Sequence, residues 1–155
     1  MKWDQRYINL AKEVSTWSKD PSKQIGAVVI GSKGQVLSQG YNGFPRGVSD
    51  DIKNYEDRSI KYKMVVHAEM NCIYNASFTG TSLNGATLYV YGLPICSSCA
   101  KGIIQVGIKE VVMLKSDSRI PITTFVESKT NWDEEWFWSK RMFDEAEVSY
   151  RTISS

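Results

Sequence analysis

Apolar residues open the chain at a helical period: Trp3, Tyr7, Leu10, Val14 and Trp17 stand at spacings of four, three, four and three. That spacing predicts one helix with this stripe packed on something. Asp20-Pro21-Ser22 ends the helix. The apolar run 25–30 and the alternating run 35–41 flank Ser32-Lys33-Gly34, which predicts a β-hairpin. A Gly- and Pro-containing loop, 42–47, follows. Residues 48–63 are polar and charged, and predict a loop with a short helix over 55–62. The apolar run Met64-Val65-Val66 leads into a helix continuing over 70–76.

Residues 88–91 read as a strand, 100–106 as a helix and 110–114 as another strand. From 115 to 129 the chain is polar around Ile120-Pro121-Ile122 and predicts no regular element. Asn131 suits the cap of a helix over 132–146. On its wheel Trp132, Trp136 and Phe143 fall together, with Trp138, Met142 and Ala146 as an adjacent stripe. Phe137 points away from both. A last short strand is expected over 148–153. Strands alternating with helices predict an α/β fold, a three-layer α/β/α sandwich around a mixed, about five-stranded sheet. The hairpin is antiparallel, and the later β-α-β stretch favours parallel neighbours.

Length and charge narrow the classes. A chain of 155 residues without internal repeats suits one domain, 1–155. A net charge of +2 with no block of Lys or Arg argues against a nucleic-acid partner. The longest apolar run is strand-sized, so no membrane span is expected. The opening residues lack the apolar stretch of a secretory signal. Three cysteines, two of them suited to be thiolates, fit a reducing cytoplasm, the host's if the source is viral.

The chemistry concentrates in His67-Ala68-Glu69 and Cys96-Ser97-Ser98-Cys99. One imidazole and two thiolates make a three-ligand zinc site whose fourth position is left for water, as catalytic rather than structural zinc requires. Two thiolates cancel the ion's charge, so it acidifies water less than an all-imidazole site would. A base is then needed, and Glu69, two residues beyond His67, is the candidate. Both segments are expected at helix N-termini, where the helix dipole favours thiolate. His67 is the only histidine, which weighs against a packed core histidine beside two small buried cysteines. Cys72 lies roughly 140° around an ideal helix from His67 and is expected in the core. That leaves ligands for one zinc per chain.

The pairing resembles the H-x-E…P-C-x-x-C pattern of zinc deaminases. One departure is that Pro94 stands two residues before Cys96, with Ile95 between them. Further stretches carry the likeness: 20–27, from Asp20-Pro21-Ser22-Lys23 through Gly26-Ala27; 40–47, with Gly40-Tyr41-Asn42-Gly43-Phe44-Pro45-Arg46-Gly47; 66–71; and the helix over 132–146. Together they identify the chain as similar to the deoxycytidylate (dCMP) deaminase family of cytidine-deaminase-like zinc enzymes.

The resemblance implies hydrolysis of dCMP to dUMP and ammonia, with attack at C4 of cytosine. Glu69 would protonate N3 and then carry a proton to the departing ammonia. The Ala68 N–H and a carbonyl near Pro94 would hold the pyrimidine edge, and Asn42 the deoxyribose hydroxyl. Ser22, Lys23, Gly43 and Arg46 are candidates for phosphate or effector contacts, although Lys23 and Arg46 read equally as solvated surface charges. The resemblance also implies a homo-oligomer, a hexamer or smaller, with dCTP and dTTP as effectors and Mg²⁺ accompanying a triphosphate. Three alternatives stand beside it. They are a bifunctional dCMP/dCTP deaminase, a tRNA or base deaminase, and a zinc-stabilised module without catalysis. A tRNA enzyme would need a cationic groove, and a dead module would have no use for Glu69.

Overall fold

A computed structural model describes residues 2–92, 94–114 and 132–154. In chain order its elements are α1 (Lys2–Ser15), β1 (Gly26–Ile30), β2 (Val36–Tyr41), α2 (Ile52–Glu56), α3 (Arg58–Met64), α4 (Ala68–Thr79), β3 (Thr87–Tyr91), α5 (Ser97–Gln105), β4 (Glu110–Leu114), α6 (Trp132–Ala146) and β5 (Ser149–Ile153). The strands form one sheet in the order β2-β1-β3-β4-β5. β1 pairs antiparallel with β2 and with β3, while β3-β4 and β4-β5 are parallel. The mixed three-layer arrangement expected from the sequence is therefore present. The irregular stretch expected over 115–129 and the Asn131 cap lie outside the described residues.

The central strands are buried on both sides, which explains their continuous apolar runs. Val28, Ile30, Tyr89 and Val112 meet α1 through Ile8, Ala11 and Val14. Ala27, Val29, Leu88, Val90, Val111 and Met113 face the opposite layer, where Cys72, Ile103 and Phe143 bring in α4, α5 and α6. Among the described residues, no helix is long and apolar enough to cross a membrane.

The α1 stripe expected from the periodicity packs only in part: Val14 is buried and Tyr7 packs against the core, but the buried face is turned away from the rest of the stripe. Trp3 and Trp17 are 61% and 50% exposed, and the buried residues are Asp4, Ile8, Ala11, Val14 and Ser15. The cause is close approach. A Cβ on Gly26 would collide with the Ala11 carbonyl and lie 2.6 Å from the Ser15 nitrogen, so only small residues fit where helix meets sheet. The aromatics lie at the rim instead: Trp3 stacks on Tyr7, and Trp17 sits edge-on to Tyr41. The helix also ends at Ser15, before the Asp20-Pro21-Ser22 stretch.

Two further differences concern short and terminal helices. The region 48–63 holds two helices rather than one, because Asp51 and Asp57 each cap a new start with a side-chain oxygen. On α6, Phe143 is fully buried, and Trp132, Trp136 and Met142 pack on the core. Trp138 is 41% exposed and Ala146 is exposed, so that second stripe is only partly covered. Phe137 does point outward, at 55% exposure.

α4 is set tightly against the edge strand β2. A Cβ on Gly40 would come within 2.7 Å of the Ala68 carbonyl oxygen and 2.5 Å of the Cys72 nitrogen. Asn71 and Asn75, one turn apart, donate to the Tyr41 and Gln39 carbonyls, each at 2.7 Å. Ser38 donates to the Cys72 carbonyl at 2.6 Å, and the Cys72 thiol to the Ala27 carbonyl at 3.0 Å. These bonds fix the N-terminal turn of α4 relative to the sheet.

Candidate active site

His67 is the N-cap of α4 and Cys96 the N-cap of α5, both in extended backbone geometry. His67 makes no capping bond, so its ring is left to face the cysteines. Its Nδ1 lies 3.3 Å from Cys96 Sγ and 3.4 Å from Cys99 Sγ. All three donor atoms fall within 4.8 Å of one another. With ordinary Zn–N and Zn–S bonds, a tetrahedral ion separates N from S by about 3.6 Å. The donor set therefore fits zinc in both atom type and spacing.

The electrostatics agree with this fit. The hydrogen bond from the Cys99 thiol holds Cys96 down, to about 4, with His67 assisting. The same contact, together with burial, pushes Cys99 up. The Cys96 sulfur raises His67 to about 8. A cluster that holds protons between one imidazole and two sulfurs is one from which a divalent cation displaces them. Glu69 is in the first turn of α4, buried at 4% exposure, and burial raises its pKa against the opposing pull of His67. A carboxyl raised in this way holds a proton more readily than an exposed one does.

His67, Cys96 and Glu69 line a cavity of about 260 Å³. Of the other residues singled out from the sequence, Ser22, Lys23, Asn42 and Pro94 also line it. Asn42 is heavily committed. Its Oδ1 accepts from the Ile25 N–H at 2.9 Å, and its amide nitrogen donates to the Lys23 carbonyl at 2.8 Å and to Asp20 at 3.4 Å. One lone pair on Oδ1 is what it retains for a sugar hydroxyl. Ala68 is fully buried at the start of α4, where a backbone N–H has no acceptor within the helix.

Gly43 and Arg46 are not among the lining residues. Gly43 exchanges two backbone hydrogen bonds with Val66, steadying the approach to His67. Arg46 turns to the outer side of α4, where its guanidinium bonds Asn75 Oδ1 and lies over the Phe78 ring. It orients the amide that covers the β2 edge. Ile95, the residue that departs from the sequence pattern, is fully buried, and its carbonyl accepts from Ser139.

As site residues the sequence did not single out Arg58, Lys61 and Tyr62 on α3, or Trp132 and Glu135 on α6, yet all five line the cavity. Arg58 and Lys61 sit three apart behind the Asp57 cap, a signal that a helix presents both on one face. Lys61 is paired with buried Asp20 at 2.7 Å. Lys23 has a lowered pKa, chiefly from burial and then from Lys61 nearby. Glu135 carried no sequence signal, because its partners stand 38 residues away.

A mixed sheet with His-x-Glu and Cys-x-x-Cys on two adjacent helix N-termini, opening into one cavity, defines the cytidine-deaminase-like class of zinc proteins. Residues 1–115 match the model of the cytidine and deoxycytidylate deaminase zinc-binding region. The chain belongs to that family. It is 35% identical to the deoxycytidylate deaminase of Pongo abelii over 97% of this chain and 79% of that one. It is 34% identical to the Mus musculus deoxycytidylate deaminase over 99% and 81%. The fold also matches the crystal structure of dCMP deaminase from cyanophage S-TIM5 in complex with dCMP and dUMP, with a TM-score of 0.73 and 22% identity over 98% and 97% of the two chains.

Proposed function

We propose that this single-domain protein hydrolyses dCMP to dUMP and ammonia, using one zinc ion held by His67, Cys96 and Cys99. The observation that carries this is the shared cavity, in which His67 and Cys96 of the metal-binding cluster and buried Glu69 open onto the same space as Ser22, Lys23 and Lys61. A base-sized reaction centre and an anion-binding rim are what a nucleoside phosphate requires.

Zinc, when bound, supplies the Lewis acidity that makes water nucleophilic near neutral pH. Glu69 takes one proton from the attacking water and passes it to N3 of cytosine, then takes the second from the hydroxyl now on C4 and delivers it to the exocyclic nitrogen, so that the C4–N bond breaks, ammonia leaves and the C4 carbonyl forms. The Ala68 N–H and the backbone at Pro94 hold the pyrimidine edge, and Asn42 Oδ1 accepts from the sugar hydroxyl. Ser22, Lys23 and Lys61 take the phosphate, with Asp20 setting their positions. Regulation by dCTP and dTTP with Mg²⁺, assembly as a homo-oligomer and a cytoplasmic location rest on the family resemblance alone.

The test is ammonia release from cytidine, dCMP, dCTP and tRNA, with and without a dCTP analogue and dTTP. Turnover of dCMP well above that of cytidine, and none on tRNA, is the expected result. Equal turnover of cytidine removes the phosphate subsite from the assignment, and no ammonia from any cytosine nucleotide removes the enzyme.

A further inference from the structure

α6 holds the chain on both sides of the metal-binding Cys96. On the preceding side, fully buried Ser139 donates its hydroxyl to the Ile95 carbonyl at 2.8 Å. On the following side, Glu135 Oε1 accepts from the Ser97 N–H at 3.1 Å and from the Ser97 hydroxyl at 2.9 Å. Ser97 is the first residue of α5, so its N–H has no acceptor within the helix. Within the turn itself, the Ala100 N–H donates to the Cys96 carbonyl at 3.0 Å and the Cys99 N–H makes a weak contact to Cys96 Sγ at 3.4 Å, and neither bond reaches Ser97.

We propose that Glu135 is a positioning residue for the metal, holding Ser97 so that Cys96 and Cys99 stand around His67 Nδ1 before the ion arrives. The proposal rests on the zinc assignment. Partners that orient metal ligands without touching the ion are commonly worth about 10–100-fold in affinity. General packing of α6 is carried elsewhere, by Phe143 in the core and by Trp136 against Tyr150. The two roles can therefore be separated by mutation.

The experiment measures zinc affinity by competition with a chromophoric chelator, and ligand geometry by the thiolate charge-transfer and d–d bands of the Co²⁺-loaded protein. Glu135→Ala should weaken zinc by about 10–100-fold and perturb the Co²⁺ bands. Glu135→Gln keeps an oxygen that accepts from Ser97, and should return to within about fivefold of the parent. Phe143→Leu, which loosens α6 and leaves the side chains that bond Ile95 and Ser97 in place, should lower the melting temperature and leave zinc affinity at the parent level. Should Glu135→Ala not fold, Glu135→Asp makes the same test: it keeps the charge but draws the oxygen back from Ser97, so about tenfold weaker binding is expected. Parent-like zinc affinity in Glu135→Ala or Glu135→Asp overturns the proposal, as does equal weakening by Phe143→Leu. A parent chain that binds no zinc overturns the zinc assignment as well.

Discussion

Lys61 Nζ lies 2.7 Å from Asp20 Oδ2, and this nearly buried ion pair joins α3 to the loop that follows α1. The same carboxylate accepts from the Ser22 and Lys23 backbone N–H groups at 2.9 and 3.3 Å, and from Asn42. One side chain thus organises four residues of the cavity wall. Removing one partner of a buried pair leaves the other uncompensated and costs about 3–5 kcal/mol. Asp20→Ala should lower the melting temperature accordingly, and should raise KM for dCMP more than it lowers kcat. An unchanged melt with unchanged KM would show that the pair organises nothing.

Glu69→Gln keeps the size of the side chain and removes its proton-carrying capacity. Zinc content by elemental analysis should stay at the parent value while kcat falls by about 10²–10⁴-fold. Near-parental turnover would take the proton shuttle away from this residue.

Zinc stoichiometry should be one per chain. Cys72, the remaining cysteine, is fully buried, its thiol donates to the Ala27 carbonyl, and burial pushes its pKa well up. Because the ion binds the folded state, free zinc at a hundred times its Kd adds about 2.7 kcal/mol. A chelator should lower the melting temperature to match. Two zinc ions per chain would contradict the ligand count.

At acid pH the fold should weaken through Asp4. Arg151, bonded to both its oxygens at 2.8 and 2.9 Å, holds the carboxyl down, to about 2, with Tyr89 donating a further bond at 2.6 Å. A depressed carboxylate contributes stability that is complete above its unfolded value, near 4, and is lost as pH falls through about 2. The shift corresponds to at most about 2.5 kcal/mol, and nearer half of that because Arg151 is 41% exposed to screening water. Melting temperatures between pH 4 and 2 should fall less steeply in Asp4→Asn. Parallel acid limbs would place the acid sensitivity elsewhere.

Much of the site could be read along the chain because its chemistry is local. His67 and Glu69 are two residues apart, Cys96 and Cys99 three, and each pair begins a helix, so composition and spacing were enough to name them. The α1 face was legible only at Tyr7 and Val14, because periodicity records which residues are apolar, not how near the sheet lies; Gly26 admits Ala11 and Ser15 and leaves Trp3 and Trp17 outside. For Arg46 the sequence left a phosphate or effector contact and a solvated surface charge equally open. A loop cation beside a motif can turn either way, and Asn75 and Phe78 draw it to the outer side of α4.

By itself the sequence determined the candidate ligand set, the candidate proton-carrying carboxyl and the strand-helix alternation, since each depends on residue types within a few positions of one another. Only the tertiary structure decided that Lys61 meets Asp20 across 41 positions, and that Glu135 reaches Ser97 across 38. Such pairings depend on where the sheet sets α3 and α6. That placement comes from packing between distant elements, which no short stretch of residues contains.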